Sequence, residues 1–125
     1  MLRISGNYTY LEATNQSEVA ALTGKYLIYR PRHTFTLSAL VEWQNLQLNV
    51  DHKFVGKRFV NAANTIYVDA YQTSDVTFRW RAAYMPWQPA FMVQIKNVFN
   101  QAYEVIRFQP MPGREVRVGI SIAYN

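Results

Sequence analysis

The stretch Lys96 to Asn125 reads KNVFNQAYEVIRFQPMPGREVRVGISIAYN, and it decides the fold. In its second half Val116, Val118, Ile120, Ile122 and Tyr124 fall on one side, with Glu115, Arg117, Gly119, Ser121, Ala123 and Asn125 on the other. A period of two is the signature of a β-strand. One face is wholly apolar and the opposite one is small or charged, so this strand separates two different solvents. Ahead of it lie a polar-apolar knot, KNVFNQAY (Lys96 to Tyr103), and a Pro-Met-Pro-Gly loop in which Gly113 reads as a turn glycine.

Working back from that strand, the same alternation recurs and predicts about six strands in an antiparallel up-and-down meander. The first runs from about Leu2 to Leu11, with Leu2, Ile4, Tyr8 and Tyr10 opposite Arg3, Ser5, Asn7 and Thr9. A long polar connection, about Glu12 to Arg32, holds Gly24 and Pro31. The second strand, His33 to Trp43, gathers Phe35, Leu37, Ala39, Val41 and Trp43 on one face, and only Leu40 interrupts the polar one. Gln44-Asn45 then forms a two-residue turn. Residues flanking such a turn pair and point the same way, so Trp43 and Leu46 share a face that Leu48, Val50 and Phe54 continue, opposite Gln47, Asn49, Asp51 and Lys53. A second long loop, about Gly56 to Gln72, leads into a fourth strand, Thr73 to Tyr84, with Val76, Phe78, Trp80, Ala82 and Tyr84 together. After a short turn at Met85 to Pro89, a fifth strand sets Phe91, Val93 and Ile95 against Met92, Gln94 and Lys96; a third long loop, Asn97 to Gly113, precedes the last strand. Long and short connections alternate, as in an outer-membrane barrel with short periplasmic turns and long external loops.

Composition narrows the function classes. Nine Tyr, seven Phe and three Trp in 125 residues, half of them hydrophobic, make an aromatic-rich chain of one domain's length. No window reaches the ~18 consecutive apolar residues of a membrane helix, whereas a membrane strand needs only about 9 to 11. MLRISGNYTY is not a secretory signal. Absence of cysteine is compatible with an oxidising periplasm and with a cytosol. The net charge of +5 comes from scattered Lys and Arg with no basic run, which argues against a nucleic-acid partner; a basic sheet stacking bases on its tyrosines would bind in a strongly salt-dependent way. No nucleophile elbow, phosphate loop or dinucleotide fingerprint is present, so no catalytic residue is assigned and no cofactor is implied. His33 and His52 lie on separate strands without the spacing of a metal site. Asp51 and Asp75 can meet across neighbouring strands, where Lys53, Arg79 and Arg81 are the expected partners.

Alternation alone does not say which face is outside. An outer-membrane barrel turns its apolar set to lipid, whereas a soluble barrel or sandwich turns it inward and binds a small apolar ligand there. The aromatic residues favour lipid, because Trp43, Tyr84, Trp87 and Tyr124 gather at the short-turn end, as a membrane-interface girdle requires. About six strands are too few to enclose a transport lumen. An open curved sheet with edges at Leu2 to Leu11 and Val116 to Tyr124 is expected.

The closing segment also resembles that of the TonB-dependent outer-membrane receptors, whose barrels commonly end in a K-N-L-F-N-x-x-Y segment, a P-x-P-G-R loop and one amphipathic strand. Lys96, Asn97, Val98, Phe99, Asn100 and Tyr103, then Pro110, Pro112, Gly113 and Arg114, match it. Upstream, YRPRHTF (Tyr29 to Phe35), VGKRFVNAANT (Val55 to Thr65), Ala70-Tyr71 and Asp75 resemble the family's preceding loops and strand starts. The resemblance spans about Leu2 to Tyr124. It implies the C-terminal portion, residues 1–125, of a receptor β-barrel in the outer membrane of a Gram-negative bacterium, with signal, plug and N-terminal strands absent. It further implies import of an iron-siderophore, cobalamin or a similar nutrient, powered by the TonB complex through the plug, among lipid and lipopolysaccharide. Under that resemblance the loop residues Tyr26, Tyr29, Arg30, Lys57, Arg58, Tyr67 and Arg107 are candidates to touch an anionic or aromatic ligand. The family usually ends on an aromatic residue, whereas here Asn125 follows Tyr124.

Overall fold

Alternating side chains and two short turns dictate one large sheet. The computed structural model describes residues 1–82 and 84–123, and all its regular elements are strands. The long ones are β1 (Leu2–Tyr10), β2 (His33–Trp43) and β3 (Leu46–Val55). Two tiny strands follow, β4 (Arg58–Phe59) and β5 (Tyr67–Val68), before the long β6 (Tyr71–Arg81) and β7 (Pro89–Lys96). Another tiny pair, β8 (Glu104–Ile106) and β9 (Gln109–Pro110), precedes β10 (Glu115–Ile122). The six long strands form one antiparallel sheet in the order β1-β2-β3-β6-β7-β10, the expected meander. The order is linear, so the sheet is open, with β1 and β10 as its edges.

Register follows from the hydrophobic pattern and from the tight turn. Trp43 pairs with Leu46 across Gln44-Asn45, and Gln44 takes a φ of 51°, a left-handed conformation that two-residue hairpin turns demand. The apolar set then lines up in rows. Trp43, Leu46, Trp80, Phe91 and Ile120 form one; Val41, Leu48, Phe78, Val93 and Val118 form the next. β6 begins at Tyr71, two residues earlier than expected, and stops at Arg81 rather than Tyr84. Beyond it Ala82 N donates to Pro89 O and Gln88 N to Met85 O, so Tyr84 lies in the turn between β6 and β7 rather than in the strand. Tyr124, the last member of the apolar set, lies outside the described residues.

Among the described residues, none covers the apolar face. Val118 is 72% exposed, and Leu48, Phe78, Phe91 and Ile120 are open on the same face. Buried apolar residues are few, namely Val55, Val68, Tyr71, Ala82 and Ala90. A sandwich would bury that face between two sheets. The arrangement is instead a single layer, and the soluble-sandwich alternative has no counterpart in it.

A hollow and the difference in exposure distinguish the two faces. A hollow of about 360 Å³ lies against Leu40, Gln47, Asn49, Asp51, Thr77, Arg79, Met92 and Gln94, all on the polar side. A sheet is hollow on its concave face, so the polar face is concave and the apolar face convex, as in a barrel that meets lipid outside and water inside. Aromatic residues band both ends of the convex face. Trp43 (66% exposed) and Tyr84 (70%) stand with Trp87 at the short-turn end, and Tyr8, Phe35 and Phe54 share a row at the long-loop end. From Trp43 to Phe35 is a strand length of roughly 26 Å. Tilted by about 40° that gives a band near 20 Å tall, close to the apolar belt of a membrane barrel.

On the concave face, one row runs Ser5, Ser38, Asp51, Asp75, and Lys96 pairs with Glu115 farther across the sheet. The expected pairing of Asp51 and Asp75 with Lys53, Arg79 or Arg81 does not occur. Arg117 with Glu115, at 2.6 Å, is the one ion pair among the described residues. Asp51 is satisfied by neutral donors, Ser38 Oγ at 2.5 Å and the Asn49 amide, and Asp75 Oδ1 accepts Asn97 N at 2.9 Å. Arg79 spends its donors on Gln47 Oε1 at 3.2 Å and Met92 Sδ at 3.8 Å.

Candidate functional site

Three loops, residues 11–32, 56–70 and 97–114, emerge from the same end of the sheet. Each is fastened from the sequence upward. In the third, Asn97 is 4% exposed and adopts a φ of 49°, which asparagine tolerates better than most residues. Its Oδ1 accepts Gln101 N at 2.9 Å while its Nδ2 donates to Gln101 O at 2.8 Å, closing the knot KNVFNQ into a tight loop. Asn100, also at positive φ, accepts Arg114 N at 2.8 Å and ties the loop's two ends together.

The second loop is joined to both neighbours. Asn64 accepts Tyr26 N at 2.6 Å and donates to Tyr26 O at 2.9 Å, in the manner of a strand partner, and Tyr29 N donates to Phe59 O at 2.8 Å. Toward the third loop, Arg58 is only 3% exposed. Its guanidinium donates to Gly56 O at 3.2 Å, Glu104 O at 2.6 Å and Val105 O at 3.4 Å, and lies 5.2 Å from the centre of the Tyr71 ring. Tyr71 stacks in turn on Tyr103 at 4.5 Å.

Cations and aromatic rings alternate along these loops. The Arg32 guanidinium sits 5.6 Å from the Tyr10 ring and 4.8 Å from that of Tyr26; Tyr26 stacks on Phe59 at 6.2 Å; and Lys57 Nζ lies 5.5 Å from Phe59 and 4.6 Å from Tyr67. Arg32 also donates to the Tyr10 hydroxyl at 2.9 Å, which holds its guanidinium still more firmly in the charged form. Beyond Tyr67 the surface dips into a cleft of about 400 Å³ walled by Tyr67, Asp69, Tyr71, Tyr103, Arg107 and Phe108, within the size range of small-molecule sites.

These three loops crown a curved sheet with a polar hollow and an apolar belt, and the family of that sheet is identifiable. The model of the TonB dependent receptor-like β-barrel family matches residues 1–100. The chain belongs to that family. Two solved structures share the receptor-barrel fold. The ferric preacinetobactin receptor BauA of Acinetobacter baumannii superposes with a TM-score of 0.85 at 22% identity, over 97% of this chain and 19% of that one. The ferric-catecholate import receptor Fiu of E. coli K12, in its closed form, gives 0.75 at 20% identity, over 95% of this chain and 18% of that one. The chain thus spans about a fifth of either receptor's length. No curated protein matches it.

In a TonB-dependent receptor barrel the long loops are external, and the cleft lies among the long loops of this chain. The seven loop residues singled out in the sequence do not share one place there. Tyr67 and Arg107 line the cleft, Lys57 rests on Tyr67, and Tyr26 continues the ladder away from it. Tyr29 and Arg30 are exposed on the first loop, outside the cleft lining. Arg58 is buried with its guanidinium on main-chain carbonyls. Sequence reasoning passed over Phe59, Tyr71, Tyr103 and Phe108; the aromatic positions of the family's own motifs, Ala70-Tyr71 and the Tyr103 that ends KNVFNQAY, were the available signal. The histidines are each engaged, His33 Nδ1 with the Tyr8 hydroxyl and His52 Nδ1 with Ser74 Oγ, both at 2.8 Å.

Proposed function

We propose that the chain is the C-terminal part of an outer-membrane transporter that imports a ferric siderophore into a Gram-negative cell. Energy would come from the TonB complex acting through a plug domain carried by the rest of the receptor. The external cleft carries this reading. It offers four aromatic rings beside Arg107, with Asp69 and Glu104 also in its lining, a surface suited to stacking on the rings of an aromatic chelate while the guanidinium meets a local negative charge on it. The names of BauA and Fiu, both receptors for ferric chelates, favour iron over cobalamin as the cargo. Tyr67 and Arg107 contact the ligand directly, with Lys57 and Tyr26 beside them. Tyr29 and Arg30 take part only if the first loop folds over a bound ligand. The convex face is bathed in lipid, with Tyr8, Phe35, Phe54 and Arg32 at the level of lipopolysaccharide and the short-turn aromatics at the periplasmic interface. The family is one of receptors, and no catalytic role is assigned.

The test is uptake. A strain whose only ferric-siderophore receptor is the full-length protein carrying this chain should grow on ferric siderophores under iron limitation, and should stop growing when TonB is deleted. Growth on cobalamin but on no ferric chelate would move the cargo; growth without TonB would overturn the mechanism.

A further inference from the structure

The sequence offers Arg58 as a loop cation ready for an anion, yet it is among the most buried polar residues described, and no carboxylate pairs with it. Buried cations are costly unless their donors are satisfied. The two terminal nitrogens of Arg58 find acceptors in main-chain oxygens at both ends of a path between loops, Gly56 O in its own loop and Glu104 O and Val105 O in the third, while its Nε has no partner among the described residues. Its guanidinium also lies over Tyr71, which stacks on Tyr103. Tyr71 and Tyr103 are two walls of the cleft, and Arg107 and Phe108 lie in the turn between β8 and β9, just past the carbonyls that Arg58 holds.

We propose that Arg58 is a positioning residue that clamps the third loop onto the second, so that the cleft keeps its shape without Arg58 touching the ligand. The site it serves is the one on which the transport reading rests. The chemistry explains the choice of arginine. A planar fork reaches carbonyls of two loops and lies flat on a tyrosine ring at once, whereas a lysine ammonium is a point donor that cannot do both. Besides Arg58, β5 of the second loop packs on β8 of the third, but β4 and β5 pair with each other, β8 and β9 with each other, and the third loop's base is held by its own asparagines. Removing the clamp should therefore loosen the β8-β9 hairpin locally and leave the barrel wall intact.

The experiment uses the full-length receptor carrying Arg58→Met, whose folding is checked by its heat-modifiable migration. Amide hydrogen exchange of residues 104–111 should speed up by about tenfold, while the β2, β3 and β6 amides stay as in the parent. In uptake of a ferric siderophore, half-saturation should rise by about tenfold while the rate at saturating ligand is kept, because the ligand contacts remain and only their arrangement is lost. Exchange unchanged in the third loop of a folded variant would overturn the clamp. Faster exchange with unaltered half-saturation would overturn its service to the cleft. Faster exchange in a receptor whose parent transports no ferric chelate would uphold the clamp and sink the transport reading instead. Should Arg58→Met fail to assemble, Arg58→Lys keeps the charge but cannot bridge the loops; exchange equal to the parent in that variant would overturn the proposal.

Discussion

Asn100 lies so close to Gly113 that a Cβ on the glycine would come within 2.6 Å of Asn100 Oδ1, the atom that accepts Arg114 N. Gly113 thus gives room to the Asn100 side chain, in addition to its reading as a turn glycine. Gly113→Ala should push Asn100 aside, break that hydrogen bond and loosen the base of the third loop by about 1–3 kcal/mol. Asn100→Ala removes the obstructing atom, so the double variant should be no worse than Asn100→Ala alone, a non-additivity that a double-mutant cycle on loop hydrogen exchange reads directly. Additive losses would mean that Gly113 serves something else.

Neighbouring residues on β3 test the two faces. Leu48 stands on the convex side between Val41 and Phe78, and Asn49 beside it faces the polar hollow. Arginine at Leu48 should cost ~2–4 kcal/mol of folding free energy in a bilayer, whereas Asn49→Arg should stay within about 1 kcal/mol. Denaturant titrations of the receptor refolded into lipid vesicles measure both. Equal costs would reverse the assignment of inside and outside.

Much of this architecture could be read from residue order, and the exceptions have physical causes. β2 and the Trp43-Leu46 register followed from alternation and a two-residue turn, because a slip of one residue would flip every apolar side chain. Alternation is symmetric between faces, however, and only the hollow beside Asn49 and Thr77 tells concave from convex. β4, β5, β8 and β9 were invisible because strands of two or three residues carry no period. Arg58 stood among the loop candidates, and its burial could not be foreseen because it depends on carbonyls more than forty residues away in the chain. The motif residues Tyr71, Asp75, Asn97 and Tyr103 stood out in the sequence, but only the fold shows that Tyr71 and Tyr103 wall one cleft while Asp75 and Asn97 meet at the base of the third loop.

Asp75 gives a sharper test of that base. Its Oδ1 accepts the Asn97 amide, a buried donor, while Asp51 sits directly across the ladder without an ion pair to either. Asp75→Ala strands the Asn97 N–H and should cost about 1–3 kcal/mol. Asp75→Asn keeps an acceptor and removes a like charge opposite Asp51, so its cost should be under about 1 kcal/mol. Thermal unfolding of the refolded receptor in detergent separates the two; equal losses would show that charge, not the amide contact, matters at Asp75.

The cleft itself is tested by residues that line it against residues that do not. Tyr67 presents a ring backed by Lys57 at 4.6 Å, and Arg107 sits between Phe108, whose ring centre is 4.5 Å from its guanidinium, and the open space. Both are placed by hairpins rather than by ligand, so their truncation should leave the barrel standing. An aromatic or arginine anchor at the centre of a site is commonly worth 2 kcal/mol or more, which predicts a loss of about thirtyfold in affinity for a ferric siderophore with Tyr67→Ala or Arg107→Ala. Arg30→Ala, on the first loop and outside the cleft lining, should change affinity by less than about threefold. Arg107→Ala should in addition flatten the salt dependence of binding, since it removes the cation at the cleft wall, whereas Tyr67→Ala should leave that slope as it was. Fluorescence quenching titrations at two ionic strengths give all these numbers. A larger loss at Arg30 than at Arg107 would move the ligand from the second and third loops to the first, and with it the role of the ladder from Tyr10 to Tyr67.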